Sequence, residues 1–463
     1  MLNILEKING FLWGAPSLLL LAGTGLFLTF VLKGLQIQKL GYAFKLAFTK
    51  DKDKSAEGDV SNFKALMTSL AGMIGNGNIA GVATAITLGG PGAIFWMWVV
   101  GLLGMATKYA EALLAMKYRV KNETGEYSSG PMYYIERGLG KKWRLLAYAF
   151  AIFGAFAALG IGNSVQSNTI ADVMSNSFHV NGLTTGIILV ILTSLIIFGG
   201  LKRISAVAGV FVPVMAVFYI VAAIIIIGIN YDQIIPAFAL IFKHAFSPIS
   251  AAGGFSGIVV TEAIRHGVSK GIFSNEAGLG TVALIAGNAK TSHPVKQALV
   301  AMTGTFIVTI IVCTMTGLVL IVTGFWDASG GLISGVAHDP TLEAGALTSA
   351  AFGSSLGVVG EYIVSLSVVF FGFSTIIAWY VYGVKCFEYM FGVKHIKIYR
   401  VIYVGATFIG TIASLTTVWA FADMANALMM IPNLIGLLLL YKIVKEETDN
   451  YFADPITKEL KSS

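Results

Sequence analysis

Two polar, glycine-broken islands interrupt stretches of this chain that otherwise read as membrane-spanning helices: Ile74-Gly75-Asn76-Gly77-Asn78 and Gly271-Ile272-Phe273-Ser274-Asn275-Glu276-Ala277-Gly278. An unpaired backbone N–H or C=O is costly in hydrocarbon, so unwound backbone persists at membrane depth only where protein buries it or a solvated cavity replaces the lost bonds. Groups freed in this way can bind ions and zwitterions. The pattern points to a carrier rather than to a purely structural bundle.

Composition makes the membrane assignment without any motif. Of 463 residues, 56% are hydrophobic and only 12% charged, against roughly 25% charged in soluble globular proteins. That excludes an ordinary soluble enzyme. The net charge of +7 is scattered through short loops and forms no stripe that would track nucleic acid. Cys313 and Cys386 lie in or beside apolar runs, too few and too distant for a disulfide framework or metal site, and read as structural. The chain has no phosphate loop, HExxH motif or nucleophile–base pair, and the GxGxxG-like patterns among its 53 glycines follow no strand.

Apolar runs near the roughly 20 residues a bilayer requires occur at 11–32, 65–88, 93–117, 145–172, 183–200, 204–229, 255–289, 298–324, 358–384, 399–417 and 420–444. They predict an all-α polytopic protein of the cell membrane with eleven transmembrane helices. Threading these helices back and forth puts 26 of the 31 lysines and arginines on one face. By the positive-inside rule that face is cytoplasmic, with the N-terminus outside and the C-terminus inside. The 326–356 stretch is too polar to span, and is expected outside with a short helix over the extracellular mouth. After Tyr441 the chain turns charged without apolar periodicity and reads as a flexible cytoplasmic tail.

With the first helix set aside, the islands fall in the first and sixth of ten helices. That spacing suggests a five-plus-five repeat of inverted topology, with a binding site near midplane between the two broken helices. The expected units are an extra helix and basic loop (1–62), two five-helix repeats (63–250 and 251–445) and a tail (446–463).

At the first island the restarting half-helix aims the amides around Gly75, Asn76, Gly77 and Asn78 at an anion such as an amino acid's carboxylate. A glycine-mediated helix crossing is the plainer alternative, but two asparagines inside the break argue against it. At the second island, carbonyls freed around Phe273, Ser274 and Asn275 suit an ammonium group, and the Phe273 ring can cover a small side chain. Glu276 reads either as a proton carrier or cation ligand, or as a brace for loose backbone donors. Hydrogen bonding is the cheaper way to keep it buried, which favours the brace. Gln166, one turn from Asn163, is the candidate substrate contact of the third core helix, with interhelical bonding as the alternative. Lys108 and Glu111 are spaced to pair on one helix face, and Arg265, His266 and Lys270 approach the second island from outside.

Four motifs, MIGNGNIAGVATAITLGGPGAIFWMW, SSGPMYYIERGLG, GIFSNEAGLGTVALIAGNAKTSHPVKQ and FGFSTIIAWYVYG, occur in an order that strongly resembles the alanine or glycine:cation symporter family. The resemblance runs through nearly the whole chain. It implies a LeuT-type fold with one extra helix before the ten-helix core, and sodium-driven uptake of small neutral amino acids such as alanine and glycine.

FGFSTIIAW supplies a cation hypothesis. Phe371, Ser374 and Thr375 lie at i, i+3 and i+4 on one helix face, and sodium, a hard cation, prefers oxygen ligands. Two hydroxyls and the Phe371 carbonyl, completed by carbonyls of Met73 and Asn76, would form a five-oxygen sodium site without formal charge. Serine and threonine in membrane helices also bond the preceding carbonyl, but the resemblance carries the core sodium of LeuT-type symporters onto Ser374 and Thr375. A proton-coupled carrier with Glu276 as coupling element, or a passive channel, are the alternatives. The charge separation makes a first prediction: cysteines at positions 52 and 458, both cytoplasmic by this topology, will resist impermeant labelling from outside intact cells, and labelling of either overturns the helix count.

Overall fold

The structure, a computed structural model, describes residues 2–49, 56–246, 256–325, 344–413 and 416–454. Lys52, Lys458, the expected repeat boundary at 250/251 and the 326–343 part of the polar stretch lie outside the described residues. The remainder of that stretch is the Ala344–Leu356 helix, packed on Ala80–Gly89 and Val358–Phe391.

Helices make up nearly all of the described chain. Seven of them are long and apolar enough to cross a membrane: Lys7–Val31, Gly92–Lys117, Lys141–Phe178, Gly200–Ile229, Pro294–Val322, Val358–Phe391 and Ala420–Ala453. The first island splits its segment into helices of 12 and 10 residues, Ser256–Asn275 before the second has 20 but carries Glu262, Arg265 and Lys270, and Gly182–Ile197 and Ile396–Ile412 have 16 and 17 residues. The Gly200–Ile229 helix is apolar all round. It exposes Val210, Val214, Val217, Val221, Ile224 and Ile225, a surface that suits lipid rather than water.

Gly92–Lys117 is the opposite case, buried over most of its length between Ser256–Asn275 and Pro294–Thr305. Its Lys108 and Glu111 are completely enclosed. Two π-helical stretches, Gly160–Ser164 and Phe306–Cys313, lie within longer helices; Ile161 of the first lines the space between the breaks, and Thr309 and Cys313 of the second bond Asn275 and Asn78.

On the lysine- and arginine-rich face, a parallel pair joins Val60–Ser61, just before the first broken helix, to Ala289–Lys290, just after the second. Arg119 locks the junction. Its Nη1 donates to the carbonyls of Gly287 (3.0 Å) and Ala289 (3.2 Å), its Nη2 donates to that of Glu57 (3.1 Å), and the guanidinium lies 4.0 Å from the Tyr127 ring centre. Asp59 Oδ2 accepts from Tyr127 N and Asn288 Nδ2. The Tyr127 hydroxyl, with Lys121, holds the Glu57 carboxyl below its ordinary range.

The tail departs from expectation. The last helix, Thr416–Ala453, continues twelve residues past Tyr441. Val444, Thr448 and Tyr451 are buried at i, i+4 and i+7, Thr448 bonds the Tyr109 hydroxyl, and Lys117 pairs with Glu447. One stripe of three residues suffices to dock a helix that is otherwise charged.

Arg119→Ala should destabilise the fold by about 2 kcal/mol, because three carbonyls lose their donors. Arg119→Lys should recover less than half, since an ammonium cannot fork across them. Thermal unfolding of the detergent-solubilised protein measures both, with Lys121→Ala as the exposed control expected to change little.

Candidate substrate site

The first island becomes a break between Asn62–Met73 and Ala80–Gly89, bridged by a single 3₁₀ turn, Asn76–Asn78. Gly75 N turns back to Met73 O (3.1 Å) and Asn78 N bonds Gly75 O (3.0 Å), while the amides of Asn76 and Gly77 donate to no described residue. Close approach requires glycine at two places here. A Cβ on Gly75 would lie 2.9 Å from Thr375 Oγ1, and one on Gly77 would lie 2.9 Å from the Phe273 ring.

The second break starts where Ser256–Asn275 ends and Glu276 adopts a left-handed φ of 55°. Its backbone donors are taken up: Ala277 N by Asn275 Oδ1 (2.9 Å), and Gly278 N and Gly280 N by Glu111 Oε1 (3.0 and 3.1 Å). The carbonyls of Phe273, Ser274 and Asn275 accept from no described residue. Free donors on one break therefore face free acceptors on the other. That is the polarity an amino-acid zwitterion requires.

Between the breaks is a cavity of about 30 Å³, room for a few atoms rather than a large side chain. The structure brings Gly75, Asn76, Gly77, Gln166, Phe273 and Ser274 to its lining, together with Glu276. Ile161, Trp379 and Asn426 line it too and were not read from the sequence. Trp379 closes the FGFSTIIAW motif, and Asn426 is an amide in an otherwise apolar stretch of the last helix, a signal that intramembrane polarity alone could have raised. Asn76 Nδ2 and Oδ1, Gln166 Oε1 and Asn426 Oδ1 are buried without a hydrogen-bond partner among the described residues, and their place on the cavity lining makes them groups that a ligand can satisfy. Gln166 Nε2 is held by Ile161 O at 3.1 Å.

Asn78 and Asn275 are brought to the breaks but not to the cavity. Asn78 Nδ2 splints its own break by donating to Met73 O (2.8 Å) and Gly75 O (3.3 Å). Its Oδ1 accepts from Ser274 Oγ and from Cys313 Sγ (3.3 Å), and its carbonyl accepts from Thr316 Oγ1 (2.9 Å). Asn275 Nδ2 bonds Thr309 Oγ1 at 3.2 Å.

Lys108 and Glu111 do not pair with each other. Lys108 Nζ donates to Thr281 Oγ1 (3.3 Å), whose hydroxyl donates to Glu276 Oε2 (2.7 Å), and Glu276 Oε1 accepts from Trp379 Nε1 (3.1 Å). Arg265 and His266 both reach Glu262, and Lys270 lies over the Phe273 ring.

At the expected cation cluster, Ser374 Oγ and Thr375 Oγ1 each lie 2.9 Å from Phe371 O and 3.3 Å from Ala71 O. The carbonyls of Met73 and Asn76, the other expected ligands, accept from Asn78 Nδ2 with Gly75 N, and from Ile79 N, respectively. Gly75 N, the usual i+4 partner of Ala71 O, has turned to Met73 O, which leaves Ala71 O for the two hydroxyls.

Two broken helices apposed around a small cavity with polar groups of both breaks on its lining, in an all-helical membrane protein, define a secondary active transporter rather than an enzyme. Solved structures agree on the fold. MhsT in complex with L-phenylalanine matches with a TM-score of 0.58 at 15% identity, covering 83% of this chain and 89% of that one. A manganese transporter mutant of Eremococcus coleocola matches at 0.51 and 14%, covering 86% and 81%. Both are LeuT-fold transporters.

The profile of the Sodium:alanine symporter family matches residues 1–462, and this chain belongs to that family. The sodium/alanine symporter AgcS of Methanococcus maripaludis is 52% identical over 96% of both chains. The putative sodium/proton-dependent alanine carrier protein YrbD of Bacillus subtilis is 40% identical over 96% of this chain and 90% of its own. The probable sodium/glutamine symporter GlnT of the same organism is 38% identical over 97% and 91%.

A paired substitution tests the apposition of the breaks. Gly77→Ala should reduce alanine uptake more than tenfold by driving a methyl into Phe273, whereas Gly81→Ala, whose Cβ meets nothing within 4 Å, should change it less than twofold. Radiolabelled uptake normalised to inserted protein reads the difference.

Proposed function

We propose that this protein takes small neutral amino acids, alanine foremost, into the cell by sodium-coupled alternating access. One observation carries the reading: Asn76 and Gly77, with unclaimed amides, and Phe273 and Ser274, with unclaimed carbonyls, line a single small cavity. The amides hold the carboxylate and the carbonyls the ammonium, so both grips fall on the part common to all amino acids. Selection then rests on the space beside Phe273 and Gln166. Alanine, glycine and serine fit; leucine, phenylalanine and lysine do not.

Ala71 O, Phe371 O, Ser374 and Thr375 are the proposed sodium ligands, four oxygens without formal charge. The family name and that of the Methanococcus relative support sodium and alanine. The Bacillus carrier named as sodium/proton-dependent raises a proton-coupled reading centred on Glu276. Both Glu276 oxygens accept hydrogen bonds from neutral donors, which supports a carboxylate brace instead. The basic face, with the Arg119 junction, is taken as cytoplasmic.

Alanine uptake into proteoliposomes under an imposed sodium gradient, then under a proton gradient alone, is the test. Sodium should drive accumulation and protons should not. Ser374→Ala with Thr375→Ala should raise the half-saturating sodium concentration at least about tenfold, or about 1.4 kcal/mol. Accumulation driven by protons alone refutes the coupling, and competition by leucine equal to that by glycine refutes the small pocket.

A further inference from the structure

The cavity has a wall that neither break supplies. It comes from the last helix, Thr416–Ala453, through Asn426, which is 1% exposed and whose Oδ1 has no partner among the described residues. A second asparagine two turns along the same helix shows what a structural role looks like in this environment. Asn433 Nδ2 donates to Glu111 Oε1 (2.7 Å) and Gly278 O (2.8 Å), and its Oδ1 accepts from the Tyr134 hydroxyl. Asn433 is saturated and Asn426 is not. Buried amides are nearly always hydrogen-bonded, so an unsatisfied oxygen on a cavity wall is a group that a ligand completes.

The polarity of the other walls decides which end of the ligand it meets. A carboxylate has donors at the first break, the amides of Asn76 and Gly77. An ammonium has three N–H bonds to place, and the carbonyls of residues 273–275 approach it from one helix only. Asn426 Oδ1 is an acceptor from a different helix. We infer that Asn426 is a specificity-determining residue whose Oδ1 accepts an N–H of the substrate's ammonium, so that the transporter requires a primary amine. The inference rests on reading the cavity as a zwitterion site. Methylating the nitrogen removes an N–H and puts a methyl group against a wall with little room. N-methylalanine is therefore a poor ligand, although its side chain is that of alanine.

The experiment uses the full-length protein purified in detergent and reconstituted in liposomes, with alanine and N-methylalanine as probes. Asn426→Leu should raise the half-saturating alanine concentration at least tenfold while maximal uptake stays within twofold, a split that a merely structural role would not give. Asn426→Asp keeps an acceptor and should stay within about threefold of the wild type. N-methylalanine should compete with labelled alanine at least tenfold less well than glycine does.

An unchanged half-saturation in Asn426→Leu overturns the inference. So does an Asn426→Asp variant as impaired as Asn426→Leu while both keep the wild-type melting temperature. If Asn426→Leu does not fold, competition on the wild type decides, and N-methylalanine competing as well as glycine overturns the assignment. Failure of the wild type to bind or carry alanine removes the zwitterion reading itself, whereas normal wild-type transport with an unaffected Asn426→Leu removes only the role of Asn426.

Discussion

Unwinding two helices inside a membrane is tolerable only if something other than water holds the loose ends, and here one amide does most of that. Asn78 bonds two carbonyls of its own break with Nδ2. It receives Ser274 of the other break and Cys313 of the π-helical stretch on Oδ1, and Thr316 on its carbonyl. The two breaks are thus one structure with shared hydrogen bonds. Because the splint consumes acceptors on the first break and a hydroxyl on the second, it leaves uncovered the amides of Asn76 and Gly77 and the carbonyls of residues 273–275. The binding polarity is what remains after structural needs are met.

The buried charges follow the same division. Glu111 takes two amides of the second break and Asn433. Glu276 takes Thr281 and Trp379, and Lys108 meets Thr281. The hydrogen bonds of all three come from neutral groups rather than from direct pairing, with those of Glu111 all on Oε1, in an interior where a misplaced charge is costly. Glu111 ties the second break to Gly92–Lys117, a helix buried over most of its length. The segments just before the first broken helix and just after the second meet at the Arg119 junction on the basic face.

Much of this was legible in the sequence because hydropathy and backbone chemistry act locally. The apolar runs, the two breaks and the lining by Gly75, Asn76, Gly77, Gln166, Phe273 and Ser274 follow from residue type and spacing. What was hidden depends on distant partners. The i, i+3 spacing of Lys108 and Glu111 invited a local pair, but the second break offered each a better contact. Met73 O and Asn76 O, read as cation ligands, also hold Asn78 and Ile79, and Ala71 O became available only because Gly75 N turned away. Asn426 and Asn433 look alike in the sequence, and only the fold gives one of them partners. The Val444, Thr448 and Tyr451 stripe was masked by the charged residues around it.

The splint also has a consequence in time. Ser274 follows Asn78 by 196 residues, and Thr316 follows it by 238. At about 5–20 residues per second, ribosomes deliver the partners of the first break roughly 10–50 s after the break itself. During that interval the N-terminal half sits in the bilayer with Asn78 deprived of every partner outside its own segment. The cavity therefore cannot exist as a half-built site. It forms only when the second broken helix arrives, so a truncated nascent chain carries an open wound in the membrane, the kind of exposed polar backbone that quality-control proteases and insertion chaperones are equipped to find.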